Sequence, residues 1–175
     1  MPHRASENYT EMKTLILVRH AKSDWGNENV PDLMRPLNER GYADAQILAK
    51  QLAQKIAPPQ YWISSPAIRA YTTSLLFASA FEYDIEKINV NKKVYEASVK
   101  TLHSIVTSIP DENETAFLFG HNPGFTKFFN EFSDSDVDNI ATCGIASLHN
   151  DVLSWKDFLN TEIINDYYLY PKEFK

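Results

Sequence analysis

Strand-like and helix-like segments alternate at least four times along this chain, and few architectures are open to a sequence with that rhythm. Residues 14–18 are mostly branched and apolar, as a strand covered on both faces would be. Asn38 then caps a helix in which Tyr42, Ala45, Leu48, Leu52 and Ile56 recur by threes and fours until Pro58 and Pro59 stop it. "YWISSP" reads as a short strand ending at Ser64, with Ser65 as cap and Pro66 at the first position of a helix running to about Ala80. A third strand near residues 88–90 precedes a helix capped by Ser98, bearing Val99, Leu102, Ile105, Val106 and Ile109, and ended by Pro110. "TAFLFGHNPGF" repeats the design, and Phe125, Phe128, Phe129 and Phe132 form the apolar stripe of its helix. The alternation predicts an α/β fold, a three-layer α/β/α sandwich with a mostly parallel central sheet. Near the end, "GIASLHNDVLSWKDF" predicts two short strands about an Asn150–Asp151 turn.

With 175 residues and no linker or repeat, the chain reads as one domain over residues 14–175, preceded by a flexible arm at 1–13. A net charge of -6 argues against nucleic-acid and anionic membrane surfaces as partners. No apolar stretch approaches the roughly 20 residues that span a bilayer, and the first residues are too polar for a secretory signal. Cys143 has no partner for a disulfide and reads as a small buried hydrophobe. These features predict a cytoplasmic protein.

Open α/β sheets bind ligands at the carboxyl ends of their strands. Three of those ends carry Arg19 with His20, a helix start with Arg69, and His121. Two guanidinium forks match phosphoryl oxygens, and helix N-termini nearby add partial positive charge. A neutral imidazole is a competent nucleophile toward phosphorus, and either His20 or His121 could form the covalent phosphohistidine. Glu96, in "VYEAS", is the first candidate for protonating the leaving atom, and Asp24 the second. The arginines supply the positive charge, so neither metal nor organic cofactor is expected. His20, His121, Asp24 and Glu96 could in principle ligate a cation, but the arginines would repel it.

In order, "LILVRHAKSDW", "RPLNERG", "SSPAIRAYTT", "VYEAS" and "GHNPG" resemble the histidine phosphatase superfamily, the phosphoglycerate mutase-like proteins, and within it the SixA-type phosphohistidine phosphatases. The resemblance implies the phosphoglycerate mutase-like fold, with His20 as nucleophile and Arg19, Arg69 and His121 as phosphate contacts. It implies Glu96 as general acid. Two departures stand out: Ala21 replaces the glycine that many members carry after the histidine, and Gly26 separates Trp25 from Asn27. The chain also lacks the long insertions with which mutases enclose a small substrate. An open pocket suits phosphohistidine in a protein, whose labile phosphorus–nitrogen bond needs only a weak acid. A small phosphomonoester is the alternative substrate, and a binder of phosphorylated proteins without turnover is the alternative outside enzymes. Ser65 reads as a helix cap; Lys22 and Arg35 either line the pocket rim or, the preferred reading, are solvated loop charges.

Overall fold

The computed structural model describes residues 12–174. Among them one sheet contains β1 (Lys13–Arg19), β2 (Tyr61–Ser64), β3 (Asn89–Val90), β4 (Thr115–Gly120), β5 (Ile145–Asn150) and β6 (Asn165–Leu169). The strand order is β3-β2-β4-β1-β5-β6. The pairings β3/β2, β2/β4 and β4/β1 are parallel, while β1/β5 and β5/β6 are antiparallel. Helices α1 (Glu39–Ala53), α2 (Ile68–Phe81), α3 (Val99–Val106) and α4 (Gly124–Phe132) supply the outer layers. This is the mostly parallel α/β/α sandwich that the alternation predicts.

The period-2 geometry of β1 divides the core between the two faces. Leu15 and Leu17 pack with Leu102, Phe125 and Phe128 of α3 and α4, whereas Ile16 and Val18 pack with Leu48 of α1 and Phe77 of α2. Both faces of the strand are therefore dry, which is why Leu15 to Val18 are all apolar. Asn38 and Ser98 cap α1 and α3 as expected, accepting from Gly41 N and Thr101 N.

Three local expectations need correction. β1 starts at Lys13, which is buried, with its Nζ donating to the carbonyls of Asp111 (2.5 Å) and Asn113 (3.3 Å). Lys13 thus belongs to the sheet and not to an arm, and residues 1–11 lie outside the described residues. α2 begins at Ile68 with Ala67 at its N-cap position and no side-chain cap, so Ser65 is not the cap. Finally, β5 does not return at Asn150–Asp151; beside β1, it pairs antiparallel with β6. Trp155 and Phe158 are fully buried, and Trp155 donates from its backbone N to Asp111 Oδ1 (2.7 Å) and from Nε1 to Asn113 O (2.8 Å). Leu153, two residues before Trp155, is instead exposed. A strand would place those two residues on one face, so the segment forms an anchored loop.

Candidate active site

The central strands β1 and β4 run side by side, with Arg19 opposite Gly120 at their carboxyl ends. His20 and His121 therefore leave the sheet as neighbours, with ring centroids 5.2 Å apart. The backbone of His20 is pinned on both sides: its N donates to Gly120 O (3.0 Å), and its O accepts from Cys143 N (3.0 Å). Cys143 holds a left-handed backbone with φ 59°, an uncommon conformation for a residue with a side chain. Ala21 N donates to Thr73 Oγ1 (3.0 Å), which in turn donates to Arg69 O (2.7 Å) and so ties the end of β1 to the first turn of α2.

That tie puts Arg69 beside His20. Arg69 Nε donates to His20 Nε2 across 3.4 Å, while the other ring nitrogen, Nδ1, lies 2.8 Å from Ala21 O. A carbonyl can only accept, so Nδ1 carries the proton and Nε2 presents its lone pair. His121 Nε2 meets Ser65 Oγ at 2.7 Å, and its Nδ1 is buried without a hydrogen-bond partner. Arg19 Nη1 donates to Ile140 O (2.6 Å), and its Nε is likewise buried and unpartnered.

The electrostatics follow from burial among cations. Burial, with the neighbouring Arg69 and Arg19 charges, pushes His20 down to about 4, against a partial rise from the Ala21 hydrogen bond. Burial pushes His121 down to about 3, helped by His20 and Arg69. Burial also lowers the Arg19 guanidinium from its ordinary value. Both imidazoles are neutral at pH 7, and one of them aims a lone pair at an arginine.

Arg19, His20, Arg69 and His121 are thus brought together from the ends of β1 and β4 and the start of α2. The two carboxylates singled out in the sequence are placed differently. Glu96 is exposed, with φ 52°, beside Tyr95 at the rim. Asp24 is exposed and turned back to accept from Gly26 N (2.8 Å). Lys22 is exposed, as a solvated loop charge would be. Arg35 is instead buried under Trp25, 3.9 Å from the ring centroid, donating to Asp24 O (3.3 Å) and Val30 O (3.5 Å). It staples the loop between β1 and α1, which corrects its reading as a solvated charge.

Three groups escaped the sequence reading. Ser65 serves His121. Asp32, in a 3-10 turn at Asp32–Met34, accepts from Arg69 through both its backbone carbonyl (Nη1, 2.6 Å) and its side chain (Nη2 to Oδ2, 2.9 Å). Tyr95 donates to the same Oδ2 (2.7 Å) and sets its ring edge-on to His121, with centroids 5.5 Å apart. The Tyr95 hydrogen bond, then Arg69, holds the Asp32 carboxyl below the usual carboxylate range. "VYEAS" signalled a polar residue near this end of the sheet, but Asp32 sits in a polar loop without periodicity.

Comparison with known proteins bears on the fold and the family. The profile of the histidine phosphatase superfamily (branch 1) matches residues 15–118. An uncharacterized chloroplastic protein of Arabidopsis thaliana is 28% identical over 162 residues, 87% of this chain and 73% of that protein. Phosphoserine phosphatase 1 of Hydrogenobacter thermophilus is 40% identical over 78 residues, 43% of this chain and 36% of that protein. Among solved structures, the inferred phosphohistidine phosphatase SixA of Agrobacterium tumefaciens superposes with a TM-score of 0.74 at 26% identity, over 89% of this chain and 97% of that one.

Proposed function

This chain belongs to the histidine phosphatase superfamily, and from that premise we propose that it hydrolyses phosphoryl groups through a covalent phosphohistidine on His20, with phosphohistidine in a protein as substrate. The observation that carries the reading is the unprotonated Nε2 of His20, which accepts from Arg69 Nε across 3.4 Å while Nδ1 donates to Ala21 O. The lone pair and the guanidinium face the same small space, as in-line attack on a tetrahedral phosphoryl group requires.

In the first half-reaction His20 Nε2 bonds to phosphorus as the bond from phosphorus to the substrate nitrogen breaks. Glu96 gives the leaving nitrogen its proton. Arg19 and Arg69 take the phosphoryl oxygens in their forks, and His121, held through Nε2 by Ser65, turns its unpartnered Nδ1 toward them. Water then attacks phosphorus, its proton passes to Glu96, and His20 leaves with its lone pair restored. Neither step calls on a metal, because the two guanidinium groups carry the positive charge that phosphoryl transfer needs.

The inferred phosphohistidine phosphatase assigned to the Agrobacterium protein, and the absence of long insertions in this chain, support a protein-borne phosphohistidine. The stretch shared with Phosphoserine phosphatase 1 favours a second reading, a small phosphomonoester. Among the described residues no helix is long and apolar enough to cross a membrane; we place the protein in the cytoplasm, in keeping with its buried free thiol at Cys143.

The test is single turnover with a radiolabelled phosphohistidine protein, a phosphoramidate and an aryl phosphate, with and without chelator. Base-stable, acid-labile label on the wild-type chain, lost in His20→Ala and indifferent to chelator, is expected, with fastest turnover on the phosphohistidine protein. Stoichiometric binding without labelled enzyme would make the protein a binder. Faster turnover on the aryl phosphate would favour the phosphomonoester.

A further inference from the structure

We infer that Asp32 is a positioning residue that aims Arg69 at the phosphoryl group, so that the loop between β1 and α1 sets the geometry of a site to which the β-strand ends contribute the chemistry. The inference rests on the reading that Arg69 meets the phosphoryl oxygens. Its observation is the double clasp: Asp32 takes Arg69 Nη1 on its backbone oxygen and Nη2 on Oδ2, at 2.6 and 2.9 Å.

A guanidinium has two donor edges available to a bidentate partner, one formed by Nη1 and Nη2 and the other by Nη2 and Nε. Asp32 fills the first. The second is left facing His20, to which Nε makes only a 3.4 Å contact, and this is the edge that a phosphoryl group can take without breaking the clasp. The carboxylate is itself held, since Tyr95 donates to Oδ2 (2.7 Å) and Arg35 Nε stands 3.8 Å from Oδ1. Arg35 in turn lies under the Trp25 ring. A continuous set of contacts thus runs from an exposed indole in the loop to the nucleophile.

Stability is not the reason for this arrangement. The Asp32 side chain is 45% exposed, and an ion pair so open to solvent adds little to folding. Its charge also works against the binding of an anion nearby. What the clasp supplies is direction: an arginine free to rotate would place its fork off the phosphoryl oxygens, and a misplacement of about 1 Å can lower turnover on the order of a hundredfold.

Charge and position can be separated by comparing two neutral variants. Asp32→Asn keeps an oxygen for Arg69 Nη2 and Tyr95, whereas Asp32→Ala removes it, and both lose the charge. We expect D32N to bind tungstate, a phosphoryl mimic, at least fivefold more tightly than D32A in calorimetry, and to retain at least ten times its kcat. Tyr95→Phe, which removes the hydroxyl hold on Oδ2, should lower kcat severalfold without shifting the thermal midpoint. Equal tungstate affinity and equal kcat in D32N and D32A would overturn the inference. If D32N lost activity as completely as D32A while binding tungstate as tightly as the wild-type chain, Asp32 would be a proton carrier and not a positioning residue. Should the wild-type chain bind tungstate yet never acquire label on His20, the phosphatase reading fails, while the affinity ratio of the two variants still decides the clasp.

Discussion

Ser65 Oγ, at the end of β2, lies 2.7 Å from His121 Nε2, at the end of β4. The contact joins two parallel strands at the point where both chains leave the sheet. It also fixes which nitrogen of His121 is left for a ligand, because Nε2 is engaged and Nδ1 has no partner.

Ser65→Ala should therefore lower kcat about tenfold, by freeing the ring to rotate, while folding stability changes little. The hydroxyl makes only one other contact, accepting from Ala67 N at 3.3 Å. Steady-state kinetics beside a thermal melt would check this. A variant with unaltered kcat would show that Ser65 merely fills space.

The two histidines predict the pH behaviour. His20 is pushed down to about 4 and His121 to about 3, against an unfolded value near 6.5. Between those limits the unfolded chain binds protons that the folded one refuses, so stability is full above about pH 6.5 and falls as pH drops toward 4. For His20 the displacement corresponds to on the order of 3 kcal/mol. The nucleophile stays unprotonated through the same window, so NMR titration of His20 should show its midpoint near 4. In Arg69→Ala the midpoint should rise, since that change removes a cation and admits solvent. A midpoint of 6.5 in the wild-type chain would contradict the burial that isolates the ring.

Much of this site is legible along the chain because its parts lie where local rules operate. Arg19 and His20 end an apolar strand, and His121 follows Gly120 at the end of another; periodicity alone finds such places. The caps Asn38 and Ser98 are legible for the same reason, each bonding a backbone N–H three residues on. Ser65 was misread because a serine before proline and a helix looks like a cap, and nothing local reveals that an imidazole from β4 claims its hydroxyl. Asp32 has no local signal because its partner Arg69 is set by how the loop folds back over α2, and the burial of Arg35 depends on the loop closing on itself around Trp25, Asp24 and Val30. The second strand of the expected hairpin is absent because Trp155 is anchored by Asp111 and Asn113 in the loop before β4, and Phe158 O accepts from Asn150 Nδ2.

Glu96 gives a prediction that depends on the leaving group. It stands exposed at the rim, beside a Tyr95 that is committed to Asp32. A phosphorus–nitrogen bond leaves readily, whereas an alkyl phosphate demands a proton. Glu96→Gln should accordingly slow an alkyl phosphate by at least tenfold more than it slows a phosphoramidate. Equal effects on the two substrates would remove Glu96 from proton transfer.

Gly41 gives a prediction about packing. It sits in the first turn of α1, in "RPLNERG", and a Cβ there would stand 2.1 Å from Lys22 O. That carbonyl cannot retreat cheaply: it accepts from Asn38 N at 3.0 Å, and the preceding Ala21 N is bonded to Thr73. The helix start and the residues just after His20 touch backbone to backbone, so a methyl group must push one of them aside. Gly41→Ala should destabilise the fold by about 1–3 kcal/mol and lower turnover together, because the displaced segment carries the nucleophile. Gly26→Ala is the contrasting substitution, since its nearest neighbour is the exposed Asp24 Oδ1 at 3.2 Å, and it should stay within about 0.5 kcal/mol of the parent. Denaturant midpoints of the two variants, read with their kcat values, separate a close backbone approach from ordinary loop tolerance.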